Sequence, residues 1–311
     1  MKRTAFATAT VANLGPGFDV LGLCLDGPGD RVTAELIPGG EVEIAEITGD
    51  GALLSREATK NCIGVVARHL LNRYADPSTG VRLWLDKGLP LGSGLGSSAA
   101  SSVAAGVAVL ACLDINMPRD FVFDSVREGE RLATGSPHPD NVAPALFGGA
   151  VACLHGIGEH VDVVTLPVPD RLFVVCVKPA FSLSTEVARA ALPRDIPMAD
   201  AIRNIGAVAG LVKALMSNDL NLLGRCLEDR LATPYRKGLI PGYDAVVASA
   251  LAAGALGAGI SGAGPSIFAL TDGRDAAMEA ADRMVDAFES AGHASTAIVC
   301  GVNHRGAEII E

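Results

Sequence analysis

Gly92, Gly94 and Gly96 alternate with small or apolar residues, and Ser97 and Ser98 follow at once. Glycines let backbone N–H groups turn toward a ligand with no Cβ in the way, and the start of a helix favours negative charge. The two hydroxyls add donors and acceptors for phosphate oxygens or for a hard cation. The chemistry this spacing offers is therefore an anion cradle, although glycines of this density also make ordinary turns. No Gly-Lys-Ser/Thr follows, so the loop lacks the lysine that reaches terminal phosphates in a P-loop. The spacing also fails the G-x-G-x-x-G dinucleotide pattern.

Three further places could do chemistry. In the stretch Pro118–Ala133 the apolar stripe Phe123, Val126 and Ala133 includes Glu130. A carboxylate on an apolar face is costly unless it is paired or bound to metal. One reading pairs Glu130 with Arg127 or Arg131; the other makes it a magnesium ligand, with Ser98 supplying a second oxygen. The segment Ser136–Pro144 gathers His138, Asp140 and Asn141 among three prolines, which stiffen a loop. A turn capped by Asp140 or Asn141 is the plainer reading there. Asn13 and Asp19 flank a Gly-Pro-Gly turn, which by itself reads as a hairpin turn.

These residues need elements to hold them. Phe6–Val11, Arg31–Leu36, Glu41–Ile47 and Val81–Asp86 read as strands. Lys60–Tyr74 carries apolar residues at helical spacing, the run after the glycines reads as a helix reaching Leu113, and Pro118–Ala133 is a third helix with proline in its tolerated first turn. Gly135–Gly149 reads as an irregular segment before a strand at Ala150–Leu154. Beyond Asp170 the expected order is strand Leu172–Val177, helices Ser184–Leu192, Ala199–Met216, Asp219–Leu231 and Pro241–Ala252, strands Ala255–Ile260 and Ser266–Leu270, helix Arg274–Ala291 and strand Ala294–Cys300. Without the extra helices this is β-α-β-β-α-β, the split βαβ order. The expected division is 1–165 and 166–311.

The chain has 311 residues, 49% of them apolar, enough for a sizeable core in one large or two medium domains. A net charge of −10 argues against broad binding to nucleic acid or acidic membranes, but not against a local phosphate site. Seven scattered cysteines read as reduced thiols in a cytoplasmic protein, and the first residues carry no apolar signal region.

The run Pro90-Leu91-Gly92-Ser93-Gly94-Leu95-Gly96-Ser97-Ser98-Ala99-Ala100 resembles the Pro-x-x-x-Gly-Leu-Gly-Ser-Ser-Ala motif of the GHMP kinases. The order of Asn13–Asp19, that loop, His138–Pro144, Ser184–Arg189, Thr233–Arg236, Leu239–Gly242 and Gly259–Ser266 is similar to the homoserine branch over nearly the whole chain. The resemblance implies an α+β two-domain GHMP kinase fold, with an N-terminal ribosomal-S5-like domain and a C-terminal ferredoxin-like domain. It implies that Pro90–Ala100 wraps the phosphates of ATP, that Ser98 and Glu130 hold Mg²⁺, and that the acceptor is the hydroxyl of L-homoserine, a step of threonine biosynthesis. It puts the acceptor among Asn13, Asp19, His138, Asn141, Thr185, Arg189 and Arg236. Asp19 suits an ammonium group, and the arginines suit a carboxylate. Asn141 would orient the hydroxyl, and Asp140 matches the acidic base of related kinases, with its role as base left open. Thr233 stands where an acidic residue is usual, and Arg230 is a substitute for Arg236. Mevalonate or shikimate as acceptor is disfavoured because neither carries an ammonium group. A silent sensor on the same fold is disfavoured because Ser98 and Glu130 are both present. The resemblance leaves room for a homodimer, and no interface is legible in the sequence.

Overall fold

Long alternation of apolar and polar residues at the start of the chain builds an antiparallel ribbon from β1 (Lys2–Ala12) and β2 (Leu21–Pro38). The computed structural model describes residues 1–115, 118–156 and 161–311, and of Thr134 the backbone only. Next come β3 (Val42–Thr48), α1 (Cys62–Tyr74), β4 (Thr79–Asp86), α2 (Ser97–Cys112), α3 (Asp120–Thr134), α4 (Pro139–Phe147), β5 (Ala150–Leu154) and β6 (Asp162–Leu166). The second half holds β7 (Leu172–Pro179), α5 (Thr185–Ala190), α6 (Met198–Ser217), α7 (Leu220–Arg225), α8 (Thr233–Arg236), α9 (Tyr243–Ala252), β8 (Gly257–Ile260), β9 (Ile267–Asp272), α10 (Arg274–Ser290), β10 (Ser295–Val302) and β11 (Glu308–Ile309). The fold is α+β.

One sheet path runs β11-β1-β2-β10-β7-β9-β8, with β4 and β5 also paired to β2. Its second half, β10-β7-β9-β8, is antiparallel throughout and has the split βαβ order read from the sequence.

The alanines of α2 explain how the first half packs. Ala99, Ala100, Ala104, Ala105 and Ala108 are fully buried, so α2 lies close against β1 and β2. Gly106 of α2 and Gly129 of α3 sit at the crossing of those helices; a Cβ on Gly106 would come within 2.6 Å of Val126. This close approach carries Glu130 to the first turn of α2.

Two expectations for single elements change. Gly135–Gly149 is not irregular throughout: α4 occupies its second half, with Pro139 in the first turn where its missing N–H costs nothing. Pro144, inside α4, also removes one backbone bond, and the Asp140 carbonyl lies against Gly22, where any Cβ would collide with it. The helix expected over Asp219–Leu231 stops at Arg225. The Asp229 carboxylate then accepts bonds from the N–H groups of Leu231, Ala232 and Thr233 and holds the following turn. Strand β6, mostly exposed, and the two-residue β11 were not expected from the sequence. No described helix is long and apolar enough to cross a membrane.

Candidate active site

A cleft of about 830 Å³ opens between the glycine loop, the N-terminal turn Asn13–Asp19, α3, α4 and α5. Its lining includes Asn13, Asp19, Leu91, Gly92, Ser93, Gly94, Gly96, Ser97, Ser98, Glu130, His138, Asp140, Asn141, Thr185, Arg189 and Arg236. Of the residues expected from the sequence, Leu95, Ala99 and Ala100 are instead buried in the core and Pro90 faces solvent. Arg230 lies outside this lining; it pairs with Glu228, so Arg236 is the arginine that the structure brings to the cleft.

The loop reaches its shape because Gly92, Gly94 and Gly96 adopt φ of +58°, +78° and +69°. Gly96 is also the residue before α2, and no side chain caps the helix, so its first N–H groups meet the cleft uncapped. The second half of the chain straps the loop down. Ser261 Oγ donates to the Gly94 carbonyl at 2.7 Å, and the Ser266 N–H donates to the Ser93 carbonyl at 3.2 Å. From below, the buried Lys87 ammonium donates to Asp30 at 2.5 Å, to Ser97 Oγ at 2.7 Å and to Ser101 Oγ at 3.0 Å. Asp30 also accepts from the N–H groups of Gly88 and Leu89, so one ion pair pins both ends of the loop.

Glu130 is 3% exposed, as its place on an apolar stripe requires. Ser98 Oγ donates to its two oxygens at 2.7 and 3.1 Å. Arg127 and Arg131, its two alternative partners on the same helix, bond to Pro137 and Asp124 and to Glu128 respectively. Burial pushes the Glu130 carboxyl up to about 7. Asp140 is also pushed up to about 7, by burial first and then by the charges of Asp19 and Glu130. A hydroxyl beside a buried carboxylate suits a hard cation whose remaining shell comes from phosphate and water. Among the described residues no three His, Cys, Asp or Glu side chains gather to hold a metal unaided.

The other end of the cleft is built by the turn between β1 and β2. Asn13 has φ +73° and Asp19 φ +58°, both left-handed. The turn reading was right for its backbone: Asn13 Oδ1 accepts from the Asp19 N–H at 3.1 Å, and Asn13 Nδ2 donates to the Gly262 carbonyl at 3.0 Å. This geometry aims Asp19 at α5, where Arg189 donates to both of its oxygens at 3.1 and 2.9 Å. Thr185 lies one turn earlier on the same helix, behind the Ser184 cap. His138 Nδ1 stands 3.8 Å from Asp19, and burial lowers its pKa. Arg236 is 2% exposed and donates to the carbonyls of Ala188 and Gly262 at 3.0 and 3.1 Å. Both guanidinium groups stand over Phe18, at 5.4 Å for Arg189 and 5.1 Å for Arg236.

Thr10, Phe18 and Lys87 were missed by sequence reasoning. Lys87 directly follows the strand read as Val81–Asp86, and Phe18 directly precedes Asp19, so position was the available signal for both.

The arrangement can cradle a polyphosphate at one end and grip a group bearing both charges at the other, with Asn141 and Asp140 between. Residues 61–149 match the GHMP kinases N terminal domain, and residues 211–290 match the GHMP kinases C terminal domain. Fold and site together define a small-molecule kinase of the GHMP type. The homoserine kinase of Arabidopsis thaliana is 43% identical over 98% of this chain and 84% of its own length. That of Pyrococcus abyssi is 38% identical over 87% of this chain and 88% of its own. The crystal structure of homoserine kinase from Cytophaga hutchinsonii superposes with a TM-score of 0.95 at 42% identity, covering 99% of this chain and 97% of that one. The chain belongs to the homoserine kinases of the GHMP kinase family.

Proposed function

We propose that the chain transfers the γ-phosphoryl group of ATP to the side-chain hydroxyl of L-homoserine, giving O-phospho-L-homoserine and ADP, a step of threonine biosynthesis. The observation that carries this reading is the Asp19, Arg189 and Arg236 cluster facing the glycine loop across one cleft. The Asp19–Arg189 pair is what a zwitterion can enter: its ammonium takes up Asp19, and its carboxylate takes up Arg189 and Arg236. An alcohol with a carboxylate but no amine would strip Asp19 of its partner and offer nothing in return.

The reaction forms a bond from the homoserine hydroxyl oxygen to the γ-phosphorus and breaks the bond to the ADP oxygen. The transition state is loose, so positioning and charge stabilisation supply most of the catalysis. The uncapped start of α2 and the Gly92–Gly96 backbone stabilise phosphate charge, while Asn141 orients the hydroxyl. No strong base is required: the hydroxyl proton passes to an oxygen of the transferred phosphoryl group as the new bond completes. Ser98 and Glu130 fit Mg²⁺, since a desolvated carboxylate with a raised pKa gains from a cation beside it. When bound, that ion neutralises phosphate charge.

The site residues named for each role, the division at 165 and 166, a cytoplasmic location and a homodimer belong to the same proposal. That division falls one residue before the end of β6 at Leu166, next to the gap that precedes β7 at Leu172.

A coupled ADP-release assay with L-homoserine, mevalonate, shikimate and an amine-free hydroxy acid tests the substrate. Release is expected with homoserine and Mg²⁺, and Glu130→Gln is expected to lower it by about two orders of magnitude, the scale of lost electrostatic stabilisation. Release only with the amine-free acid would overturn the substrate, and full activity in Glu130→Gln would remove Glu130 from the metal site.

A further inference from the structure

Thr10 joins the glycine loop to Asn141. It lies on β1, just where the register with β2 shifts between Thr8↔Gly29 and Thr10↔Cys24. Such irregularities re-aim side chains, often beside active sites. The Thr10 N–H donates to the Leu95 carbonyl of the glycine loop at 3.1 Å, and its hydroxyl donates to Asn141 Oδ1 at 2.7 Å. Thr10 is fully buried. Gly96 covers this pair: a Cβ there would collide with Thr10 Oγ1 and come within 2.9 Å of Asn141 Oδ1. The bond thus lies beneath the loop backbone at Gly96.

An amide has one acceptor oxygen and one donor nitrogen. With Oδ1 turned inward to Thr10, Asn141 can present only its Nδ2 hydrogens to the cleft. We propose that Thr10 is a positioning residue for phosphoryl transfer, fixing Asn141 as a hydrogen-bond donor to the reacting oxygen and tying its position to that of the glycine loop. This rests on the kinase reading and adds the direction of the bond. A donor to the hydroxyl oxygen leaves that oxygen's own hydrogen outward, free to pass to an oxygen of the transferred phosphoryl group as the bond to phosphorus forms. An acceptor would hold that hydrogen in place.

The test uses steady-state kinetics on Thr10→Val, Thr10→Ser, Asn141→Ala and the Thr10→Val/Asn141→Ala double variant, with melting curves on each. Valine keeps the shape and removes the hydroxyl; it is expected to lower kcat by about ten- to a hundredfold with KM for ATP nearly unchanged, the scale of a slightly misplaced group. Serine restores the hydroxyl and is expected to return most of kcat. In the Asn141→Ala background the valine change is expected to cost little more, because its effect passes through Asn141. Asn141→Asp keeps an acceptor for Thr10 and loses the donor, so kcat is expected to fall steeply. A Thr10→Val enzyme with wild-type kcat, an undiminished loss in the double variant, or a fully active Asn141→Asp overturns the inference. If valine prevents folding, Asn141→Asp and the Thr10→Ser comparison still decide it. Wild-type enzyme showing no homoserine-dependent ADP release would instead defeat the substrate reading, a separate outcome.

Discussion

Asp140 and Glu130 are the two acids of the cleft lining that the fold buries. Both have pKa values pushed up to about 7 by burial first, and the charge of Glu130 adds to the cost of ionising Asp140. For Asp140 the folded value lies well above the ordinary one near 3.8. Between those values the folded state binds more protons than the unfolded state, so stability falls as pH rises from about 4 to about 7 and levels off above. Asp140→Asn removes that slope while keeping the side chain's shape. The variant is expected to be more stable than wild type at pH 8, by up to a few kcal/mol, and the gap is expected to close toward pH 4. Melting temperatures across pH measure this, and parallel slopes for the two proteins would contradict it. The same variant tests whether a base is needed. Turnover by Asp140→Asn supports transfer without one; loss of turnover with both substrates still bound makes Asp140 the base.

At the scale of elements, the site depends on how closely α3 lies on α2. A Cβ on Gly129 would come within 2.5 Å of Ser102 Oγ and 2.8 Å of a Val66 methyl, and both neighbours are fully buried. Gly129→Ala gains up to about 1 kcal/mol in helix propensity, but the overpacking is expected to cost about 1–3 kcal/mol. Because Glu130 is the next residue, the variant is also expected to need more Mg²⁺ for half-maximal rate. A lower melting point with an unchanged Mg²⁺ requirement would separate packing from the proposed metal site. Periodicity alone found α3 and the inward face of Glu130, since one apolar stripe records which side of a helix is buried. It did not find α4, because Pro139 and Pro144 read as breakers until the first is placed in a first turn and the second has its lost bond offset by packing. It could not find the Asp19–Arg189 pair, whose partners lie far apart in sequence. Nor could it find Thr10, whose polar side chain is unremarkable in an alternating strand. What links these residues is sheet register and a turn with left-handed Asn13 and Asp19, and neither is written in local spacing.

Over the whole molecule, the two halves share more than a cleft. The core formed by β1, β2, β4, α1 and α2 extends without a break to Leu172, Val174, Leu211 and Phe268 of the second half. The end of the chain returns to the beginning: β10 pairs with β2 at Gly301↔Asp26, and β11 pairs with β1 at Ala5↔Ile309. Arg119, at the start of α3, fastens this return. Its guanidinium donates to the carbonyls of Leu146, Arg305 at 2.5 Å and Ala307 at 2.8 Å. Two sequence halves that share a core and strand pairs should not unfold separately, so calorimetry is expected to give one transition. Arg119→Ala leaves several carbonyls short of a charged donor and is expected to cost about 2–3 kcal/mol. That loss is expected to lower the single transition as a whole, because the tail it holds belongs to the sheet of both halves. Two resolved peaks in the wild type, or a variant in which only one half melts early, would show that the halves are joined by the cleft alone. The cleft draws its loop from one half and its straps, Ser261 and Ser266, from the other. Loss of ATP binding is therefore expected to track the same transition, measured by nucleotide fluorescence during the melt.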